Sequence, residues 1–310
     1  MSKILITGAN GFIGSALYSV LSQQEFNIVP VVRKPSSLKN ELIIGDISVF
    51  NSWSAYLNKV DCIIHLAGRA HILNDKVLDP LSEFRNTNTH ATLTLAKQAA
   101  SAGVKRFIFL SSIGVNGNET IQNPFHFDDE PHPHSPYAIS KYEAEIGLKE
   151  ISAESGLEIV IIRPPLVYGE NAPGNFRSLM RWLSLGVPLP FGAVLNNRRS
   201  FVSLDNLISL IITCIKHPAA ANQTFLASDG EDLSTTELLQ RLCNAIGKNS
   251  PLIKIPPKII SFGLNFLGKE ELAKRLLGSL QVDITHTCNT LSWKPPFSID
   301  EGLKRATHGH

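Results

Sequence analysis

A tyrosine and a lysine four residues apart have the types and spacing for proton transfer. In Tyr137-Ala-Ile-Ser-Lys141 the two side chains would share one face of a helix. A phenol has a pKa of about 10 in water, so it is a poor base at neutral pH. One positive charge about 4 Å away is worth roughly 4 kcal/mol at an effective dielectric constant of about 20. The spacing therefore predicts that Lys141 lowers the pKa of Tyr137 and makes it a general acid/base.

Two serines are candidates for holding the oxygen atom whose proton Tyr137 exchanges. Ser111 and Ser112 directly follow the apolar run 107–110, which predicts a strand. The carboxyl ends of parallel strands form the edge at which doubly wound sheets bind ligands. A hydroxyl at that edge can hydrogen bond to a substrate oxygen, although either serine taken alone is also typical of a turn.

A glycine-rich turn follows the first apolar run, 3–7. Its sequence, Gly8-Ala-Asn-Gly11-Phe-Ile-Gly14, supplies glycine where a chain turns sharply and where backbone approaches a phosphate. A helix that begins near Gly11 directs free N–H groups and the positive end of its dipole at that phosphate. The position of the turn between strand and helix predicts a dinucleotide site.

The end of the second apolar run, 28–32, bears on which dinucleotide is bound. Sites for NAD usually carry an acidic residue here that binds the adenosine ribose hydroxyls. This chain has Arg33 and Lys34 instead. A guanidinium can pair with a 2′-phosphate, which a carboxylate would repel. Arg33 therefore favours NADP(H) without excluding NAD, and Asp46 is placed to meet the adenine edge.

The elements that must position these residues alternate along about the first 165 residues. Short β-branched runs predict strands at 3–7, 28–32, 42–44, 62–66, 107–110 and 159–162. Helical stretches are predicted between most of them, at 12–21, 49–57, 81–102 and 137–154. Apolar strands that alternate with helices predict an α/β fold, a doubly wound parallel Rossmann sheet, over residues 1–165.

The alternation of strands and helices becomes less regular after residue 165, where proline and glycine become frequent. A strand is predicted at 224–227 and a helix at 235–246. Residues 166–310 are predicted to form a smaller α+β substrate-binding lobe, with segments such as 200–215 packing back on the first domain. The apolar stretch 259–277 favours a packed amphipathic helix over a membrane anchor.

Composition narrows the class of protein. The chain has 29 Lys+Arg against 27 Asp+Glu and is 43% hydrophobic, which indicates a folded protein without an electrostatic case for binding nucleic acid. Its four cysteines are far apart and form no CxxC pair, a pattern that fits reduced thiols and predicts no metal site. No apolar run approaches the roughly 20 residues of a membrane span, and no signal peptide is evident, so a cytoplasmic location is expected.

These motifs together resemble the extended short-chain dehydrogenase/reductase family, its NAD-dependent epimerase/dehydratase group, and the UDP-glucose 4-epimerase-like members of that group. Besides the glycine turn and YxxxK, several segments are similar to family elements: His65-Leu-Ala-Gly68, Asn88 with Thr92, Leu110 to Gly117, Arg163-Pro-Pro-Leu-Val-Tyr-Gly169, Arg199-Ser-Phe-Val-Ser-Leu-Asp205 and the tail from Trp293 to Gly302.

The resemblance implies roles for individual residues. Ser112, Tyr137 and Lys141 would be catalytic, and Lys141 would also bind the nicotinamide ribose. With Arg33 and Asp46 at the adenosine end, the resemblance implies a cofactor site of Gly8, Asn10, Gly11, Phe12, Ile13, Gly14, Arg33, Asp46, Ile47, Leu66, Ala67, Gly68, Tyr137, Lys141 and Pro164. The implied substrate site consists of Ser112, Tyr137, Asn175 and Arg199, with Arg199 on a nucleotide diphosphate. A homodimer built from the helices near 81–102 and 137–154 is also implied.

Departures from the family pattern restrict the reactions that the resemblance implies. Ile113 and Gly114 stand where family dehydratases carry an Asp-Glu pair, so sugar dehydration is disfavoured. Leu166 replaces an asparagine of many 4-epimerases, and Arg33 replaces the acidic residue of strict NAD users. The resemblance thus implies action at C4 of a UDP-hexose or UDP-N-acetylhexosamine, as a 4-epimerase or as a 4-keto-sugar reductase.

Two other hypotheses remain open. The first is an NADP-dependent reductase of an apolar hydroxy or keto compound, against which the basic pair Arg198-Arg199 argues by suggesting a diphosphate. The second is a non-catalytic dinucleotide-sensing regulator. Such regulators commonly lack the tyrosine or the lysine, and this chain has both.

Overall fold

A parallel sheet forms the centre of the computed structural model, which describes residues 2–70, 79–248 and 251–307, without the side chain of Asn175. In chain order the strands are β1 (Ser2–Thr7), β2 (Phe26–Val32), β3 (Leu42–Ile43), β4 (Cys62–His65), β5 (Arg106–Leu110), β6 (Glu158–Arg163), β7 (Leu166–Tyr168), β8 (Arg199–Ser203), β9 (Gln223–Leu226) and β10 (Asp232–Leu233). The helices are α1 (Phe12–Ser22), α2 (Pro80–Phe84), α3 (Ala91–Ser101), α4 (Pro136–Ser155), α5 (Asn175–Ser184), α6 (Leu204–Lys216), α7 (Thr235–Ile246), α8 (Pro257–Phe266), α9 (Glu270–Leu277), α10 (Thr285–Leu291) and α11 (Ile299–Ala306).

The strand order of the main sheet is β3-β2-β1-β4-β5-β6-β9, and all neighbours among these described strands are parallel. The predicted doubly wound parallel α/β fold is confirmed. The order reverses between β1 and β4, which is where open α/β sheets bind ligands. Thr7 pairs with both Val31 and His65, so the carboxyl ends of these three strands lie level beside the glycine turn.

Alternate side chains of β1 pack on opposite faces of the sheet, as the pleat of a strand requires. Ile4 and Ile6 belong to one buried cluster with Leu207 of α6. Leu5 belongs to a second buried cluster with Leu95 of α3 and Leu148 of α4. Both faces are therefore covered, and the loops at the strand ends are held between rigid layers.

A smaller sheet of strand order β10-β8-β7 lies in the second half of the chain, with β7 and β8 parallel and β10 antiparallel to β8. Its buried cluster includes Tyr168, Phe201, Leu239 and Leu303. The Tyr168 hydroxyl donates a hydrogen bond of 2.7 Å to Asp229. α6 packs on α1, and β9 then adds to the main sheet beside β6.

Three predicted helices differ from those observed. The segment 49–57 is only a short turn at Trp53–Ala55, where Asn51 and Ser52 favour a turn and Trp53 is buried edge-on against Phe50. The predicted helix 81–102 is interrupted by a wider π-helical turn, Arg85–His90. The predicted helix 259–277 is two helices, because Gly268 has a φ of +68° after α8.

Among the described residues, no helix combines the length and the apolar character that a membrane crossing requires. In the same part of the chain, no group of three or more His, Cys, Asp or Glu side chains could hold a metal ion.

Candidate functional site

The glycine turn between β1 and α1 leaves no room for a side chain at Gly8 or Gly14. Gly8 has a φ of +69°, and a Cβ there would lie 2.9 Å from the Ala67 backbone N. A Cβ on Gly14 would lie 2.1 Å from the Gly8 carbonyl oxygen. Gly11 precedes α1 and has no side chain to cap its first N–H groups. The turn therefore fits a dinucleotide phosphate at the helix N-terminus; Asn10 is exposed beside it, and Phe12 and Ile13 begin α1 half-buried.

Two positive charges lie near Asp46 on the side of the turn expected to meet adenosine. The Ser48 backbone N–H and hydroxyl donate to Asp46 at 2.9 and 2.8 Å. These hydrogen bonds lower the pKa of Asp46, and the charges of Arg33 and Arg69 add to the effect. Arg33 is exposed directly after β2, and Ile47 is buried. The structure thus places Arg33, Asp46 and Ile47 around the same end of the sheet.

The loop after β4 joins the glycine turn to α4. Leu66, Ala67 and Gly68 follow β4 directly, and the Ala67 N–H donates to the Thr7 hydroxyl at 3.2 Å. A Cβ on Gly68 would lie 3.4 Å from the Lys141 Nζ. The lysine therefore reaches the crevice edge that the sequence predicted for it.

Lys141 is buried between the ends of β4 and β5. Its ammonium donates to the Leu110 carbonyl at 2.9 Å and lies 4.4 Å from the centre of the Phe109 ring. Burial lowers the pKa of Lys141 to about 7, and the charge of Glu145 opposes this shift. Lys141 can therefore change its protonation state near neutral pH.

Tyr137 lies in the first turn of α4, which begins at Pro136. Ser135 caps this helix, because its hydroxyl accepts a hydrogen bond from the Ala138 N–H. The Tyr137 ring meets Phe84 edge-on, with ring centres 6.0 Å apart. Burial raises the pKa of Tyr137 to about 12. The expected lowering by Lys141 is wrong for the protein alone, because desolvation of the phenol dominates and the ammonium is directed at the Leu110 carbonyl.

The two candidate serines have different environments. Ser111 is buried, and its hydroxyl donates to Glu145. Ser112 is half-buried and accepts a hydrogen bond of 3.1 Å from the Gly114 N–H. A Cβ on Gly114 would lie 3.3 Å from the Ser112 Oγ and 3.4 Å from the Ala138 Cβ. Ser112 thus lies near the turn of α4 that carries Tyr137, while Ser111 is committed to the interior.

A buried ion pair holds α4 to the ends of β5 and β6. Arg163 donates to both carboxylate oxygens of Glu145, and both residues are nearly inaccessible. Arg163 also donates to the Asn116 side chain at 2.9 Å. The Pro164 carbonyl accepts from the Ile113 N–H at 3.0 Å, which joins the two strand ends. Sequence reasoning missed Glu145, although its position one helical turn after Lys141 was a usable signal.

Asn88 links the interrupted helix to the crevice. Its side-chain amide donates to the Arg69 carbonyl at 3.1 Å and to the Ser140 hydroxyl at 3.0 Å. Its Oδ1 accepts from the Arg69 N–H at 2.8 Å. Single π-type turns often occur at functional sites. Here the turn aims a buried amide between the loop after β4 and the helix of Tyr137.

A second group of cations lies in the small lobe, on the predicted substrate side. Arg199 begins β8 and donates to the Gly278 carbonyl at 3.2 Å. Burial, then the nearby charge of Arg275, lowers the pKa of Arg199 to about 10. Because the charge of Arg275 acts on Arg199, an anion bound at Arg199 would be stabilised by both guanidinium groups. Sequence reasoning missed Arg275, and the side chain of the predicted Asn175, the first residue of α5, lies outside the described part of the chain.

The chain is similar to known proteins along almost its whole length. The model of the NAD-dependent epimerase/dehydratase family matches residues 4–227. A UDP-glucose 4-epimerase of Vibrio cholerae is 44% identical over 98% of this chain and 94% of its own length. An N-acetyl-α-D-glucosaminyl-diphospho-ditrans,octacis-undecaprenol 4-epimerase of Escherichia coli O157:H7 is 27% identical, over 98% of this chain and 93% of its own.

A solved structure gives the same result for the fold. The crystal structure of UDP-glucose 4-epimerase from Thermotoga maritima with UDP-glucose superposes with a TM-score of 0.80 at 25% identity. The match covers 98% of this chain and 97% of that one. The resemblance inferred from the motifs is confirmed: the chain belongs to the NAD-dependent epimerase/dehydratase family.

Proposed function

We propose that this enzyme is a UDP-sugar 4-epimerase that acts at C4 of a UDP-hexose or UDP-N-acetylhexosamine. The observation that carries the proposal is the position of Lys141, whose ammonium lies between Gly68 and the Leu110 carbonyl while Tyr137 is on the same helix. The 44% identity to the Vibrio cholerae UDP-glucose 4-epimerase supports this activity and substrate class.

The acid/base roles are divided among three residues. A nicotinamide cofactor, when bound, supplies reversible hydride transfer. Tyr137 exchanges the proton of the sugar C4 hydroxyl, and Ser112 holds the same oxygen by a hydrogen bond. Lys141 sets the electrostatic potential at the phenol and binds the nicotinamide ribose. Tyr137 is half-buried and needs positive charge nearby to ionise, since desolvation of its phenol raises its pKa to about 12.

The glycine turn, with Asn10, Phe12 and Ile13, would hold the cofactor diphosphate. Arg33, Asp46 and Ile47 would hold the adenosine end, and the nicotinamide end would contact Leu66, Ala67, Gly68 and Pro164. Residues 1–165 form the dinucleotide domain in this proposal, and residues 166–310 the sugar-nucleotide lobe.

Arg199 and Arg275 would bind the substrate diphosphate, and Asn175 would face the same ligand. We expect Arg199→Gln to raise KM for the UDP-sugar by about tenfold to a hundredfold, because hydrogen bonds to charged groups are worth about 1.5–3 kcal/mol. Steady-state kinetics would measure the effect, with kcat changed much less.

Arg198→Gln is the matched control for this experiment. Arg198 is adjacent in sequence but is exposed and pairs with Glu237 at 2.8 Å. It should leave KM within a factor of about two, since exposed ion pairs are worth little. Equal effects of the two substitutions would argue against a diphosphate at Arg199.

The activity itself is tested by incubating the purified enzyme with UDP-glucose and, separately, with UDP-N-acetylglucosamine. Proton NMR should detect the C4 epimer of at least one substrate without added cofactor. Mass spectrometry should detect NAD retained by the protein, because an epimerase keeps its cofactor through oxidation and reduction. Absence of both epimers would reject the proposal, and absence of UDP binding by titration calorimetry would favour an apolar substrate.

A 4-keto-sugar reductase that uses NADP(H) is the second candidate. The observation that favours it is the exposed Arg33 at the end of β2, where NAD users carry an acid. If NADP(H) is the cofactor, Arg33→Ala should weaken NADPH binding about tenfold or more and leave NADH binding unchanged. Fluorescence titration would measure both, with the exposed Lys39→Ala as control. Equal loss for both nucleotides would argue against a 2′-phosphate contact.

We also infer a cytoplasmic homodimer, with α2, α3 and α4 at the interface. Ile146 is 41% exposed on α4 and is available to such a contact. Sedimentation analysis of the wild type and of Ile146→Glu would test it.

A further inference from the structure

The helix α8 exposes large apolar side chains along one side. Phe262 is 75% exposed and Phe266 is 85% exposed, and Ile259 and Leu267 are each more than half exposed. The spacing of Ile259, Phe262 and Phe266 puts them on one face of the helix. No residue of α8 is buried. The helix expected to be packed over 259–277 is therefore packed on only one side in its first half.

The opposite side of α8 accounts for its attachment to the protein. Ile260 and Leu264, four residues apart, are half-buried, and α8 packs on α9. Ala273 of α9 is buried beneath this contact. The attachment of α8 therefore uses the side of the helix opposite Phe262 and Phe266. Within the described residues, these two phenylalanines remain exposed to solvent.

The charged residues of α8 and of the segments directly before and after it have one sign, whereas Glu270 and Glu271 begin the next helix. Residues 251–269 contain three lysines, Lys254, Lys258 and Lys269, and no aspartate or glutamate. All three lysines are exposed. An apolar face bordered by lysines is typical of helices that lie in the interface of an anionic bilayer. Protein surfaces that bind apolar proteins need no such uniform charge, so the charge favours lipid.

Further exposed apolar side chains lie on the segment before α8 and on the element that it pairs with. The segment before the helix carries Ile253, which is 49% exposed, and pairs with residue 189 through hydrogen bonds in both directions. That pairing brings it to the end of α5, where Trp182 and Leu185 are also exposed. Lys248 donates to the Ser184 carbonyl at 2.6 Å and adds a fourth cation there.

We propose that α8 and the adjoining exposed residues Ile253, Trp182 and Leu185 form a surface that docks reversibly on an anionic lipid bilayer. Phe262 and Phe266 enter the acyl boundary, and Lys254, Lys258 and Lys269 contact the headgroups. This mode of binding needs no spanning helix. It would leave the cofactor crevice free, because α8 contributes no residue to the site described above.

Sedimentation with sucrose-loaded vesicles tests the proposal. The full chain should bind vesicles of phosphatidylglycerol and phosphatidylcholine, and it should bind pure phosphatidylcholine far more weakly. Phe262→Ser/Phe266→Ser should reduce the partition coefficient at least about tenfold, because burial of one phenylalanine alone is worth about that factor. Higher salt should weaken binding of the wild type, since salt screens exposed charges.

Two matched controls distinguish binding through this surface from nonspecific adsorption to vesicles. Val49→Ser removes an equally exposed apolar side chain elsewhere, at 79% exposure, and should bind vesicles as the wild type does. Lys254→Glu/Lys258→Glu should lose binding, whereas Lys304→Glu should not. All variants should retain the turnover of a water-soluble substrate, which shows that they are folded.

Three results would overturn the proposal. The first is a wild type that does not sediment with the anionic vesicles. The second is equal binding by the wild type and Phe262→Ser/Phe266→Ser. The third is a change of oligomeric state in that variant without any vesicle binding, which would mean that a second copy of the chain covers α8.

Discussion

Tyr137→Phe is expected to reduce turnover about a thousandfold, because it removes the group that exchanges the substrate proton. The aromatic ring, and with it the edge-on contact to Phe84, is retained. Cofactor affinity should therefore stay within a factor of about two, since uncharged single contacts are worth little. Rapid-mixing absorbance at the reduced nicotinamide band and equilibrium titration would measure the two quantities separately.

The same helix supplies a control for this prediction. Tyr142 is half-buried, next to Lys141, and has no place in the proposed site. Tyr142→Phe should therefore keep nearly full activity. If Tyr137→Phe kept the wild-type rate as well, the acid/base assignment would be untenable, whatever its effect on binding.

The substitution Glu145→Gln is expected to destabilise the protein by about 3–5 kcal/mol, because it leaves the buried charge of Arg163 without its partner. Glu145 and Arg163 are 1% and 2% exposed, so water cannot compensate the loss. The glutamine would keep one acceptor oxygen, which Ser111 and Arg163 would have to share, and its NH2 group would face the guanidinium. Urea unfolding followed by tryptophan fluorescence would measure the free energy of unfolding.

Glu150→Gln, at an exposed position on the same helix, should change the free energy of unfolding by less than about 0.5 kcal/mol. The double variant Glu145→Leu/Arg163→Met removes both charges and should be less destabilised than Glu145→Leu alone. If the double variant lost as much stability as the sum of the two single variants, the ion pair would not explain the effect.

Local signals made much of the fold predictable. The glycine turn must follow a strand and precede a helix, so Gly8 and Gly14 indicate β1 and α1 together. The helix α7 begins and ends as predicted because Ser234 and Glu237 form a capping box and Gly247 ends the helix in the left-handed region. Tyr137 and Lys141 needed only the helical spacing. In these cases the interacting residues are close in sequence.

The parts that could not be predicted depend on residues far apart in sequence. The partner of Glu145 is Arg163 at the end of β6. The charge that acts on Arg199 of β8 comes from Arg275 of α9. The direction of the Tyr137 pKa shift depends on how deeply the fold buries the phenol. For α8, periodicity predicted an apolar face correctly but could not show whether another element covers it.

The place of β9 has a consequence for the nascent chain. β6 is complete at residue 163, but its outer neighbour is not made until residue 226. Until then the growing sheet presents open backbone N–H and carbonyl groups, which other chains can pair with. Synthesis of the second half therefore pairs this edge of β6, which a fragment that stops at residue 165 would leave open.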